Sequence, residues 1–99
     1  MYHRPDEPVR VKMPRQGEVL GIVEAMLGSN KLRVRCQDDK IRLVRIPGKL
    51  RKSMWIKEGD VVLVKPWDIQ KDTKGDVVIR YTQTQVSVLK RKNILKMEY

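Results

Sequence analysis

The hexapeptide Lys31-Leu32-Arg33-Val34-Arg35-Cys36 alternates cation and apolar residue without a break. Successive side chains of a β-strand point to opposite faces, so Leu32, Val34 and Cys36 share one face and three cations the other. Such a strand needs a core on one side and water or an anion on the other. Its neighbours extend the pattern. Glu18 to Leu27 is rich in aliphatic residues, with Gly21 suggesting a bulge or bend, and is closed by the turn signal Gly28-Ser29-Asn30. Gln37-Asp38-Asp39 reads as a tight turn into a third strand, Ile41 to Ile46. There Ile41 and Leu43 hold one phase, and Val44 and Ile46 the other. That slip predicts a bulge, with Arg42 and Arg45 still extending the basic surface.

The remaining segments complete a small sheet. Pro47 to Asp60 is a longer connection carrying the basic run Lys49-Leu50-Arg51-Lys52, with room for one helical turn between Leu50 and Trp55. Val61-Val62-Leu63-Val64 is apolar on both faces and reads as a strand covered from both sides. Trp67 to Asp76 is a polar loop and Val77 to Tyr81 a fifth strand. Val86 and Leu89 then fit a helix while Val86 and Val88 fit a strand equally well; a short helix is favoured because Lys90-Arg91-Lys92 suits its end. Pro5, Pro8 and Pro14 make residues 1–16 a flexible arm. The expected layout is an arm (1–16), a barrel (17–83) and a helix with a tail (84–99). Five strands with these links fit an OB barrel or an SH3-like barrel, and strand count does not separate the two.

Charge names the partner class. The 99 residues carry a net +10, and residues 28–57 alone carry +8. A cationic excess concentrated in one block points to nucleic acid before membrane or acidic protein. A membrane span is not expected, because the longest uncharged stretch, Tyr81 to Leu89, is nine residues. The first fifteen residues hold no apolar segment of the signal-peptide kind. A single cysteine, Cys36, suits a reducing, cytoplasmic setting.

Enzyme chemistry finds no support. His3, the sole histidine, sits in the arm, so nucleophile–base pairs and His-ligated metal sites lack a fixed partner. Asp38-Asp39 suits turn initiation better than acid–base work. Asp68, Asp72 and Asp76 share a loop with Lys71 and Lys74 and do not match a calcium loop. No cofactor, metal or catalytic residue is expected. What remains is a binding surface of Lys31, Arg33 and Arg35 with Arg42 and Arg45 on the next strand, suited to a phosphate backbone. The chain has no Phe, and Trp55, Trp67 and Tyr81 fall where core or hinge packing is the commoner role. Folded RNA read by shape therefore fits better than stacked single strands.

The segment Ile46-Pro47-Gly48-Lys49-Leu50-Arg51-Lys52-Ser53-Met54-Trp55-Ile56 resembles the signature of the translation initiation factor 1A family, counterpart of bacterial initiation factor 1. Gly21-Ile22-Val23-Glu24, Gly59-Asp60-Val61-Val62-Leu63-Val64 and Asp76-Val77-Val78-Ile79-Arg80-Tyr81 extend the likeness from about Gly17 to Leu89. The resemblance implies an all-β, five-stranded OB-fold barrel of the S1 type with a short C-terminal helix and flexible tails. It implies a monomeric cytoplasmic factor that binds the A site of the small ribosomal subunit, meeting decoding-site RNA and an adjacent ribosomal protein. Such factors stabilise initiator tRNA, promote subunit dissociation and cooperate with the subunit-joining GTPase. By position, Lys49, Arg51 and Lys52 would meet ribosomal RNA, with Gly48 allowing close backbone approach. The short arm and the end, Lys92 to Tyr99, look like archaeal members rather than acid-tailed eukaryotic ones. Ile94, Leu95 and Met97 are then candidates for an apolar contact with the GTPase, and equally for packing against the barrel. The rival reading is a basic OB or SH3-like barrel on other RNA or on duplex DNA, as in chromatin proteins.

Overall fold

The computed structural model describes residues 10–28, 30–51 (residue 51 by its backbone only) and 55–97. Five strands close into a barrel: β1 (Val19–Met26), β2 (Lys31–Cys36), β3 (Ile41–Arg45), β4 (Val61–Pro66) and β5 (Lys74–Arg80). Around the barrel the order is β1-β2-β3-β5-β4, closing on β1. Every pairing is antiparallel except β3 with β5. A single helical turn, α1 (Gly48–Arg51), follows β3, and α2 (Gln83–Arg91) follows β5.

β1 serves two neighbours, and its sequence allows that. At Gly21 it pairs with Cys36 of β2 and Val62 of β4. A Cβ there would lie 2.4 Å from Val34 Cγ1 and 3.1 Å from the Arg35 carbonyl oxygen, so the approach excludes any side chain. The bulge expected near this glycine lies further along, between Val23 and Ala25.

Alternation sorts the apolar residues into two clusters. Val23, Leu32, Val34, Cys36, Val44, Ile46, Val62, Val64 and Val77 fill the barrel, joined by Ile56. Leu20, Ile22, Val61 and Leu63 point the other way and are covered by Val86 and Leu89 of α2, with Tyr81, Leu95 and Met97. β4 is thus covered on both faces, as its sequence predicts.

Helix α2 is delimited by its own side chains. The Thr82 side chain accepts from the Gln85 backbone N–H at 3.2 Å, and Gln85 Oε1 accepts from the Thr82 N–H at 2.8 Å. At the far end Asn93 takes φ 63°, and the N–H groups of Asn93 and Ile94 donate to the Lys90 and Leu89 carbonyls. This left-handed cap turns the chain back onto the barrel.

Both expected tails are corrected in part. Residues 10–14 lie against the barrel rather than free: Val11 and Met13 pack on the outer cluster, and the Tyr81 hydroxyl donates to the Lys12 carbonyl. Positions 1–9 fall outside the described residues. At the other end Leu95 is 3% exposed and Met97 is buried with it. Gln37 holds this stretch from both sides, donating to the Ile94 carbonyl at 2.9 Å and accepting from the Lys96 N–H at 2.7 Å. The outer faces of β1 and β4 are apolar and need a cover, and the C-terminal segment supplies it.

Candidate nucleic-acid interface

Among the described residues, the outer surface of β2 and β3 has no helix over it. Lys31, Arg33 and Arg35 project from β2 while Leu32, Val34 and Cys36 point inward, as the alternation requires. Across the ladder Lys31 faces Arg45, Arg33 faces Leu43 and Arg35 faces Ile41. Arg45 is exposed and oriented: Nε lies 3.2 Å from Asp76 Oδ1, Nη2 3.3 Å from Oδ2, and the guanidinium carbon 5.6 Å from the Trp67 ring centre. Because α1 starts three residues after Arg45, the Lys31–Arg45 end of this surface runs into Gly48 and Lys49, both exposed. The Arg51 side chain and Lys52 lie outside the described residues.

β3 departs from the expected phase. Its pairing with β2 is continuous, with no bulge, and Arg42, Val44 and Ile46 all point inward. Arg42 is therefore withdrawn from the expected basic surface, at 3% exposure. Its Nη1 and Nη2 donate to the two Asp38 carboxylate oxygens at 3.0 and 2.8 Å, and its Nε to the Lys71 carbonyl at 2.6 Å. A buried guanidinium satisfied in this way ties the β2–β3 turn to the loop before β5. Hydrogen bonding from Arg42 holds the Asp38 carboxyl below its usual value, against a smaller opposing effect of desolvation. Asp38 reciprocally raises Arg42. Beside them, burial pushes the Cys36 thiol up, partly offset by Arg42, so this cysteine is an inert core residue.

The aromatic residues divide. Tyr81 is buried, and desolvation followed by the Glu18 charge pushes its phenol up to about 12. Trp67 is half-buried beneath Arg45. Trp55, expected in a core or hinge, is 84% exposed just after the basic run. Its backbone is nevertheless fixed, because Arg80 Nη1 donates to the Trp55 carbonyl at 2.8 Å. Arg80 and Glu24, which bridges β2 arginines, do not stand out in the sequence. Both act through partners more than eight residues away, and only the position of Glu24 beside a strand bulge hints at its role.

The described residues contain no group of three or more His, Cys, Asp or Glu placed to hold a metal, and no helix long and apolar enough to cross a membrane. The expected apolar docking trio is likewise changed. Leu95 and Met97 are buried and Ile94 is partly packed, so their apolar surface is taken up by this barrel.

Comparison with known proteins agrees with this architecture. The family model described as translation initiation factor 1A / IF-1 matches residues 8–99. Translation initiation factor 1A of Methanothermobacter thermautotrophicus is 55% identical over 95 residues, which cover 96% of this chain and 96% of that protein. The Pyrococcus abyssi factor of the same name is 51% identical over 94 residues, covering 95% of this chain and 83% of the relative. The solution structure of bacterial translation initiation factor 1 from the Wolbachia endosymbiont of Brugia malayi aligns with a TM-score of 0.52 and 31% identity, covering 73% of this chain and 85% of that one. An OB barrel with this strand order and these relatives leaves one conclusion: the chain belongs to the translation initiation factor 1A / IF-1 family, whose members are non-enzymatic factors of translation initiation.

Proposed function

We propose that this protein binds the A site of the small ribosomal subunit through ribosomal RNA, stabilises initiator tRNA there and promotes subunit dissociation. The observation that carries the reading is the outer face of β2, over which no helix lies among the described residues, where Lys31, Arg33 and Arg35 line up and continue through Arg45 to Gly48 and Lys49. Cations fixed on a rigid barrel neutralise phosphates and release their counterions, a term that needs no sequence readout. Arg51 and Lys52 extend the same run in sequence. The exposed Trp55 adds a flat surface on which an unpaired base can stack, so the contact combines backbone neutralisation with one stacking position. In this reading the factor works as a cytoplasmic monomer with a ribosomal protein as neighbour. Any contact with the subunit-joining GTPase uses surface other than the buried Leu95 and Met97.

Charge reversal tests this reading. Lys49→Glu, Arg51→Glu and Lys52→Glu together should abolish binding to small subunits while the barrel still melts cooperatively. The control reverses Lys90, Arg91 and Lys92 at the end of α2, which changes net charge by the same amount. Equal losses in the two triple variants would leave only bulk charge and defeat the assignment. A stronger affinity for duplex DNA than for small subunits would favour the chromatin-type alternative.

A further inference from the structure

Acids also stand on the cationic face: Asp76 pairs with Arg45, and Glu24 stands between two of the β2 arginines. Glu24 sits where β1 is bulged: the ladder with β2 runs Val23 to Val34 and then Ala25 to Arg33, leaving residue 24 without a ladder partner of its own. A bulge inserts one residue and re-aims its side chain. Here it aims a carboxylate between two arginines, with Oε1 3.5 Å from Arg33 Nε and Oε2 3.8 Å from Arg35 Nε. All three side chains are a third to a half exposed. These distances are longer than a charge-assisted hydrogen bond of about 2.7–2.9 Å, so the carboxylate is held by attraction rather than clamped.

We propose that Glu24 sets the specificity of this face: in the free protein its carboxylate occupies the place of an RNA phosphate between Arg33 and Arg35, and RNA must displace it. The proposal rests on the reading of this face as an RNA contact. Two consequences follow from charge alone. An RNA that meets only one of the two arginines faces the Glu24 charge without gaining both cations, and is disfavoured. An RNA whose fold brings phosphate to both arginines displaces the carboxylate into water, where its exposure leaves it room. The acid therefore lowers affinity for RNA in general more than for the fitting target, which is how repulsion creates selectivity. An exposed ion pair is weak enough to exchange in this way, being worth about fivefold at most in an equilibrium constant.

The test uses the full chain and its Glu24→Gln, Arg33→Gln/Arg35→Gln and triple variants. Binding to a mixed-sequence RNA duplex and to purified small subunits is followed across a salt series. Asp72→Asn supplies the same change of charge on the loop between β4 and β5. Glu24→Gln should bind the duplex about twofold to fivefold tighter at low salt, with the slope of log K against log salt steeper by about 0.7–0.9. Its affinity for small subunits should rise less, so preference for the subunit narrows. In the Arg33→Gln/Arg35→Gln background the gain should fall to that of Asp72→Asn. The proposal is overturned if Glu24→Gln binds no tighter than wild type, matches Asp72→Asn in the wild-type background, or keeps its full gain without the arginines. Failure of wild-type protein to bind small subunits would instead defeat the ribosomal reading, and the duplex measurements would still decide the role of Glu24.

Discussion

The barrel has two outer faces of opposite character, built on neighbouring strands. Over β1 and β4 the outward residues Leu20, Ile22, Val61 and Leu63 are sealed beneath α2, Tyr81 and the segment to Met97. Over β2 and β3 the outward residues include Lys31, Arg33, Arg35 and Arg45, and no helix among the described residues covers them. The first face gains stability from burial, at about 25 cal/mol for each Å² of apolar surface removed from water. The second gains little, since exposed ion pairs contribute about 0–1 kcal/mol each. The same closed sheet thus separates an apolar face that holds the molecule together from a cationic face exposed to solvent. Substitutions on the two faces should divide accordingly.

The largest effect belongs to the covered face. Leu95→Ser/Met97→Ser removes two buried apolar side chains and places hydroxyls in the outer apolar cluster. The expected loss is about 4 kcal/mol or more, a large share of a typical total of about 5–15 kcal/mol. Thermal or urea unfolding measures it. Small-subunit binding, assayed at a temperature where the variant remains folded, should be nearly unchanged. A variant that melts like wild type but no longer binds a partner GTPase would turn this face back into a docking site.

A smaller effect is expected at the Arg42 tie between the β2–β3 turn and the loop before β5. Asp38 has its pKa held down by Arg42, while an unfolded Asp titrates near 3.9. The sign follows from that direction: the stabilisation is present above about pH 4 and is lost as pH falls through the lowered folded value. Asp38→Asn should therefore be less stable at pH 7, by about 1 kcal/mol given that the carboxylate is more than a third exposed. The deficit should shrink as the medium is acidified below about pH 4. A deficit that stays constant down to about pH 2 would mean that the turn, not the ion pair, is what the substitution damages.

How far the sequence can be read follows the same division. Alternation in Lys31 to Cys36 and the two-sided apolar run Val61 to Val64 are local patterns, and both survive in the barrel. β3 defeats the pattern because its inward position 42 is an arginine and its outward position 41 an isoleucine. Arg42 tolerates burial only because Asp38 and the Lys71 carbonyl meet it, and neither adjacency is visible in a strand pattern. The strand β5 starts at Lys74, three residues before its apolar signal, because pairing with β3 orders a polar stretch. The C-terminal apolar trio reads in sequence equally as a partner contact or as packing on the barrel, and the cover that Val61 and Leu63 require decides for the second. At the site, Lys31, Arg33, Arg35 and Arg45 are legible as a set. Glu24 is not, since its role depends on the bulge that aims it.

The smallest effect on stability should come from the open face, at Arg33→Gln. Arg33 is half exposed, its ion pair with Glu24 is a 3.5 Å contact, and its neighbour across the ladder is Leu43. Removing such a charge changes unfolding free energy by no more than about 0.5 kcal/mol. The glutamine stem still covers the sheet, so little packing is lost. Binding should respond differently. One phosphate contact disappears, and the slope of log K against log salt should flatten by about 0.7–0.9. Affinity for small subunits should fall a few-fold at low salt and converge with wild type as salt rises, because the lost contribution is counterion release. Two readouts on one variant give the comparison its sharpest form. A lowered melting temperature with an unchanged salt slope would make Arg33 part of the scaffold and erase the distinction between the two faces.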